Sequence, residues 1–315
     1  MVIIFLYLPS FIILIGEGFV RLFNWPNNEK YFDEFKEKVK MLYIDSGCDI
    51  SHIEVKENIL LSESESFVDD DNSLHDYIGH GTQVISAITG KYHINGLYRN
   101  VEIVIYKITD RNGETKFEWL YNALCKAIKM NYKIINISYS GYTDNKYIIS
   151  RFKKLIDEAT KKNIHIFCSA NNFEPGIGFC IPYDFNGVYK VGSINIENKI
   201  SHFNSTTNPE YFAPGGDDFF ESENPQSFIL LANSTLSNFN IGSEFGIDKR
   251  YTLNFGNSIA CSYVACSIGL IVSRRKNRCK KDTSKKNIDC LFSAYKHKSL
   301  NTIKNTKEIL KNEYI

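Results

Sequence analysis

Four things are scarce in this 315-residue chain, and each scarcity removes a class of answer. Charge of one sign is missing: 37 Lys and Arg against 36 Asp and Glu leave a formal net charge of +1, which argues against a nucleic-acid partner and selects no other. Paired Cys-x-x-Cys spacing is missing among the cysteines at 48, 125, 168, 180, 261, 266, 279 and 290, which argues against zinc. Several of these thiols sit in apolar runs, and Cys261 and Cys266 point in different directions on one predicted helix, so they read as reduced and favour a cytoplasmic location. Internal repeats are missing as well, which removes solenoid arrays.

Signals for export are also thin. Residues 2–16 (VIIFLYLPSFIILIG) are almost wholly apolar, yet no Lys or Arg precedes them and no clear small-residue cleavage site follows, so a signal peptide fits poorly. Glu17 and Arg21 interrupt the run before it reaches membrane-spanning length. An interfacial anchor, a marginal span and a misassigned start all stay open. The expectation is a segment 1–28 with membrane attachment through residues 1–16 as one of its readings, then one domain over 29–315, acting as a monomer.

What is present alternates strands with helices. MLYID (41–45) is a short apolar run stopped by Ser46 and Gly47, as a buried parallel strand reads when it ends at a turn. A helix over 80–89, a strand over 101–108, a helix over 118–131 and a strand over 133–138 follow. Next come a helix aligning Phe152, Leu155, Ile156 and Ala159, and strands over 164–170 and 187–194. Tyr31, Phe32, Phe35 and Val39 predict a short amphipathic helix over 29–40. The acidic stretch with Glu63, Glu65, Asp69, Asp70 and Asp71 predicts a surface loop. The basic run Arg274 to Lys286 reads as solvated surface, with contact to anionic lipid or an acidic peptide as its functional alternative. Such alternation implies an α/β fold: a mostly parallel central sheet, helices on both faces, and ligands beyond the carboxyl ends of the strands, where Asp45 and Asn172 fall.

Four stretches carry chemistry. In FGNSIACSYVACSIGLIVS, Gly256 and Asn257 precede Ser258, and Ala260, Val264, Ala265, Ile268 and Ile271 follow at helical spacing. Ser258 is thereby presented at a helix N-terminus, where backbone amides favour developing negative charge. MLYIDSG holds Asp45, IGHGTQV holds His80 and IHIFCSANN holds Asn172. Singly, each has an ordinary reading: a helix cap for Ser258 and His80, a strand turn for Asp45, a loop for Asn172. In the order Asp45, His80, Asn172, Ser258, each with its flanks, coincidence is a poor account.

This order resembles that of the subtilisin-like serine proteases, from about residue 41 to residue 273. IDSG, GHGTQV and FGNSIA are similar to the family's aspartate, histidine and serine motifs, INISYSG to its substrate-pairing strand, and FAPGG to a later landmark. The resemblance implies the subtilisin-like three-layer α/β fold. It makes Ser258 the nucleophile, His80 the general base and then acid, Asp45 the carboxylate that orients the imidazole, and Asn172 an oxyanion donor beside the Ser258 amide. Ser138, Tyr139 and Ser140 would meet substrate backbone. The departures are Asn257 for the usual threonine, Ser262 and Tyr263 for the usual proline and its neighbour, and Asn171 and Ser140 for glycines. No oxygen-rich loop is evident after His80, so no cofactor is expected and no tight calcium site.

A narrower resemblance, carried by APGGD, an insertion and GIDKRYTLNFGNS, is to the leader peptidases that mature lanthionine-containing peptides. It implies an endopeptidase acting on a precursor peptide in lantibiotic maturation, and the short stretch ahead of Asp45 is expected to hold no folded inhibitory pro-domain. A general degradative protease is the runner-up, and a catalytically silent peptide-binding relative the third reading. Glu174 and Asp184 are candidates for a carboxylate near the primary specificity pocket, or for solvated loop acids.

Overall fold

The computed structural model describes residues 32, 34–173, 176–204, 208–217, 228–276, 281–293 and 301–312. The apolar run 2–16 and Glu174 lie outside them. Seven strands form one sheet: β1 (Val39–Asp45), β2 (Glu65–Ser66), β3 (Val101–Lys107), β4 (Ile134–Ile137), β6 (His165–Ser169), β8 (Val188–Ile194) and β9 (Tyr211–Pro214). Their order is β2-β3-β1-β4-β6-β8-β9, every neighbouring pair is parallel, and β1 sits inside with Asp45 opposite Lys107. Two antiparallel pairs stand apart: β5 (Gly141–Thr143) with β7 (Phe179–Ile181), and β10 (Ile229–Ala232) with β11 (Tyr251–Asn254).

Strand periodicity divides the core into two layers. Met41 and Tyr43 face a cluster built with α1 (His80–Thr89), α4 (Asn257–Arg274), α5 (Lys285–Ser293) and α6 (Thr302–Asn312). Leu42 and Ile44 face the opposite cluster, built with α2 (Phe117–Lys129) and α3 (Lys146–Lys161). Because both faces are covered, β1, β3 and β8 read as nearly unbroken apolar runs. The central helix α4 is buried almost all round, which a helix tolerates only when it is apolar on every side. This is the three-layer, mostly parallel α/β architecture that the sequence predicts.

Two expectations are corrected. No helix covers the described residues between 34 and 38: Phe32, Phe35 and Val39 are buried as their spacing implies, but the chain is irregular there, then enters β1 at Val39 to pair with Val101. The basic run is not all solvated surface. Arg274 and Arg275 are buried, with Arg274 3.9 Å from Glu37 and its guanidinium 5.2 Å from the Phe35 ring centre. An arginine can turn inward this way because its planar group stacks on rings while pairing with a carboxylate.

Candidate active site

Asp45 ends β1, and its carboxylate reaches the helix that follows in the chain. Oδ1 accepts from the Ser46 amide at 2.7 Å and meets His80 Nδ1 at 2.7 Å. The Asp45 side chain is 3 % exposed and that of His80 33 %, so a buried acid holds an imidazole whose other nitrogen remains free to meet solvent or substrate. This closeness depends on Gly81: a Cβ there would lie 2.0 Å from the Gly47 carbonyl oxygen, so any larger residue would push the start of α1 off the turn after β1.

A second carboxylate, unmarked by the sequence reading, stands behind the histidine. Asp76 is fully buried and accepts from Ser46 Oγ (2.8 Å), the Gly79 amide (2.7 Å), the Thr82 amide (2.8 Å) and Thr82 Oγ1 (2.7 Å). It thus clamps the first turn of α1, and an acid three residues ahead of a Gly-His-Gly turn is its only signal in the sequence. Burial pulls the His80 pKa down, but the Asp45 charge, the Asp45 hydrogen bond and the Asp76 charge outweigh it, and the net shift is upward.

Ser258 lies in the first turn of α4, half-buried. Gly256 before it has φ +151° and ψ 158°, a backbone region closed to side-chain-bearing residues, and a Cβ there would sit 3.1 Å from Asn172 Nδ2. Asn172, exposed just past β6, accepts the Asn257 amide on Oδ1 at 3.0 Å. That bond turns the Nδ2 donors towards the residues around the serine. Asn257, where threonine was expected, is buried and donates from Nδ2 to the Asn171 carbonyl at 3.1 Å, so it still ties the two segments together. Ser262 and Tyr263 are buried in the core behind the serine, away from its approach.

The segment after β4 closes the other side. Ser138 Oγ accepts from Asn136 Nδ2 at 2.9 Å and lies 3.4 Å from the Ser258 carbonyl oxygen. Ser140 hydrogen-bonds Asn171 Oδ1, and Asn171 Nδ2 hydrogen-bonds the Tyr142 hydroxyl. The two departures from glycine therefore touch each other. Tyr139 is half-buried beside them, where burial pushes its phenol pKa up. Asp184 accepts from the Cys180 amide at 2.7 Å, which makes it a staple of its own loop.

The resemblance stated above directs attention to the segment after the histidine helix as a place for calcium, and the residues around Glu54 there do not fit a cation. Buried Glu54 accepts the amides of Lys91 (2.6 Å), Tyr92 (2.9 Å) and His93 (2.7 Å) together with the Tyr251 hydroxyl (3.2 Å). Donors, not oxygens, face that carboxylate. Among the described residues no group of three or more His, Cys, Asp or Glu is placed to hold a metal.

Comparison with known proteins agrees with this geometry. The model of the subtilase family, Peptidase_S8, matches residues 36–314. The chain belongs to the subtilase family. This subtilase is 29 % identical over 250 residues to the major intracellular serine protease of Bacillus subtilis (strain 168), covering 75 % of this chain and 69 % of that one. Among solved structures it is similar to a lanthipeptide protease, with a TM-score of 0.77, 23 % identity and coverage of 89 % and 88 % of the two chains. It is also similar to the nisin leader peptidase NisP from Lactococcus lactis, with a TM-score of 0.71, 19 % identity and coverage of 92 % and 93 %. The subtilase is a serine protease by family, and its fold is shared with leader-processing enzymes.

Proposed function

We propose that this subtilase is a serine endopeptidase that removes the leader from a modified precursor peptide, and that Ser258, His80 and Asp45 perform the cleavage. The single observation carrying the catalytic part is the 2.7 Å contact between His80 Nδ1 and buried Asp45, with Ser258 presented on α4 beside Asn172. His80 takes the Ser258 proton as that oxygen attacks the scissile carbonyl, and later returns it to the leaving amine. Asp45 stabilises the imidazolium between those steps. The oxyanion is met by Asn172 Nδ2 and the Ser258 amide, and the substrate backbone runs along Ser138, Tyr139 and Ser140. No metal takes part, and Glu54 already satisfies the turn at Lys91 to His93 through amide donors.

Leader removal is supported by the likeness to the lanthipeptide protease and to NisP, which extends over nearly the whole of both chains. The free cysteines among the described residues, Cys48, Cys125, Cys168, Cys180, Cys261, Cys266 and Cys290, support a reducing, cytoplasmic setting. No helix among the described residues is long and apolar enough to cross a membrane. Membrane attachment through the apolar residues 1–16 belongs to the same reading. The enzyme acts as a monomer on a peptide, with no nucleic acid involved. A second reading, a general intracellular protease, is favoured by the 29 % identity to the Bacillus subtilis enzyme. Purified chain incubated with lanthionine-bearing precursor peptides and, separately, with casein distinguishes them. One cut at the leader junction with casein intact supports the proposal; broad casein digestion replaces it with the second reading.

A further inference from the structure

At the end of the sheet opposite the active site lies a cavity of about 310 Å³. It opens between the entry to β1 (Lys38, Lys40), the entry to β4 (Lys133, Ile134) and the end of α4 (Val272, Lys276). Four lysines line it against one carboxylate, Glu63. Glu63 is already occupied, by Lys40 at 2.7 Å and the Tyr132 hydroxyl at 2.6 Å, and Lys38 pairs with Glu102 at 2.7 Å. Lys133 donates only to neutral oxygens, Asn131 Oδ1 and the Lys162 carbonyl, each at 2.7 Å. Among the described residues neither Lys133 nor Lys276 forms an ion pair, and burial together with the nearby Lys276 and Lys162 charges depresses the Lys133 pKa. The charges of Lys133 and Lys276 thus lie side by side with no carboxylate paired to either among the described residues.

The placement says what would. Lys276, exposed, directly follows Arg274 and Arg275, which are turned inward. Residues 34–38 lead into β1 at this same end, and the apolar stretch 2–16 lies earlier in the same sequence. Helix α4, 18 residues and about 27 Å long, carries Ser258 in its first turn and the cavity-lining Gly269, Val272 and Ser273 towards its other end. We propose that this lysine-ringed end docks the enzyme on an anionic membrane surface, the cavity taking the phosphate oxyanions of lipid headgroups while the catalytic end faces away. An apolar segment and a basic patch together supply the two signals that stable peripheral attachment requires.

The test is co-sedimentation of the full chain with phosphatidylcholine vesicles and with vesicles also containing phosphatidylglycerol, beside the double variant Lys133→Gln/Lys276→Gln. Two lysines at such a surface are worth on the order of 30-fold in partitioning. The native chain should prefer anionic vesicles by about that factor, lose the preference in high salt, and lose most of it in the double variant, whose labelling by a fluorophosphonate stays unchanged. Equal binding to both vesicle types, or a preference undiminished in the variant, overturns the proposal. So does a thermal shift with inorganic phosphate that the variant lacks, without vesicle preference, since the cavity would then serve a free anion. Fluorophosphonate labelling reads the catalytic assignment separately, so either can fail alone.

Discussion

His80 stands between two acids, and its titration should report both. Because Asp45 and Asp76 raise its pKa despite burial, the acidic limb of kcat/KM is expected above the ordinary histidine value of 6.5. Asp76→Asn removes one negative charge without touching the Asp45 contact, so the limb should move to lower pH; a limb that stays put would show that Asp76 only builds the turn. Asn172 belongs to the same scale. Asn172→Ala should lower kcat on the order of 100- to 1,000-fold, the range found when the oxyanion donor of subtilisin itself is removed, with KM nearly unchanged. A KM effect alone would make Asn172 a binding residue. Asp45, His80, Asn172 and Ser258 were legible in the sequence because short motifs fix each one at a strand end or helix start. Asp76 was not, since what marks it is four hydrogen bonds from three residues on two segments, the turn after β1 and the start of α1.

Elements were legible where periodicity and burial agree. Parallel strands such as β1 and β8, covered on both faces, announce themselves as apolar runs, whereas the stretch ahead of β1 has helical spacing and is not a helix. There the apolar residues are spaced by the need to reach Tyr98 and the far side of the core: the Tyr98 hydroxyl donates to the Glu37 carbonyl at 2.6 Å, and Phe32 packs edge-on against its ring. The turn after α1 was equally hidden, because its anchor comes from Glu54 on a distant segment. Glu54→Ala should cost about 3 kcal/mol, read as a fall in the denaturant midpoint, since three amides and a tyrosine hydroxyl lose a charged acceptor. EDTA should leave the native midpoint where it was; a drop on chelation would mean that a cation, not Glu54, secures this turn.

The whole molecule couples its two cores through one sheet, and its pH response follows from what that sheet buries. His165 starts β6 with Nδ1 2.8 Å from the Tyr189 hydroxyl, and burial, then the Lys133 and Lys285 charges, push its pKa down to about 4. The unfolded chain therefore binds a proton here between about pH 6.5 and 4 that the folded chain refuses, so stability falls as pH falls through that window, by up to about 3 kcal/mol. Urea midpoints from neutral pH downward should show this slope, and His165→Gln should flatten it; parallel curves would assign the acid sensitivity elsewhere. His80, raised instead of lowered, acts in the opposite sense. The alternating order of strands and helices made this architecture readable, whereas the lysine-ringed end needed three separated segments brought together.

The central claim is that Ser258 is a nucleophile activated by His80. Labelling of the purified chain with a fluorophosphonate at neutral pH, followed by mapping of the adduct by mass spectrometry, tests it directly. Adduct on Ser258, lost in His80→Ala and untouched by EDTA, is the predicted result. Folded protein that stays unlabelled, or labels equally well without His80, would contradict it.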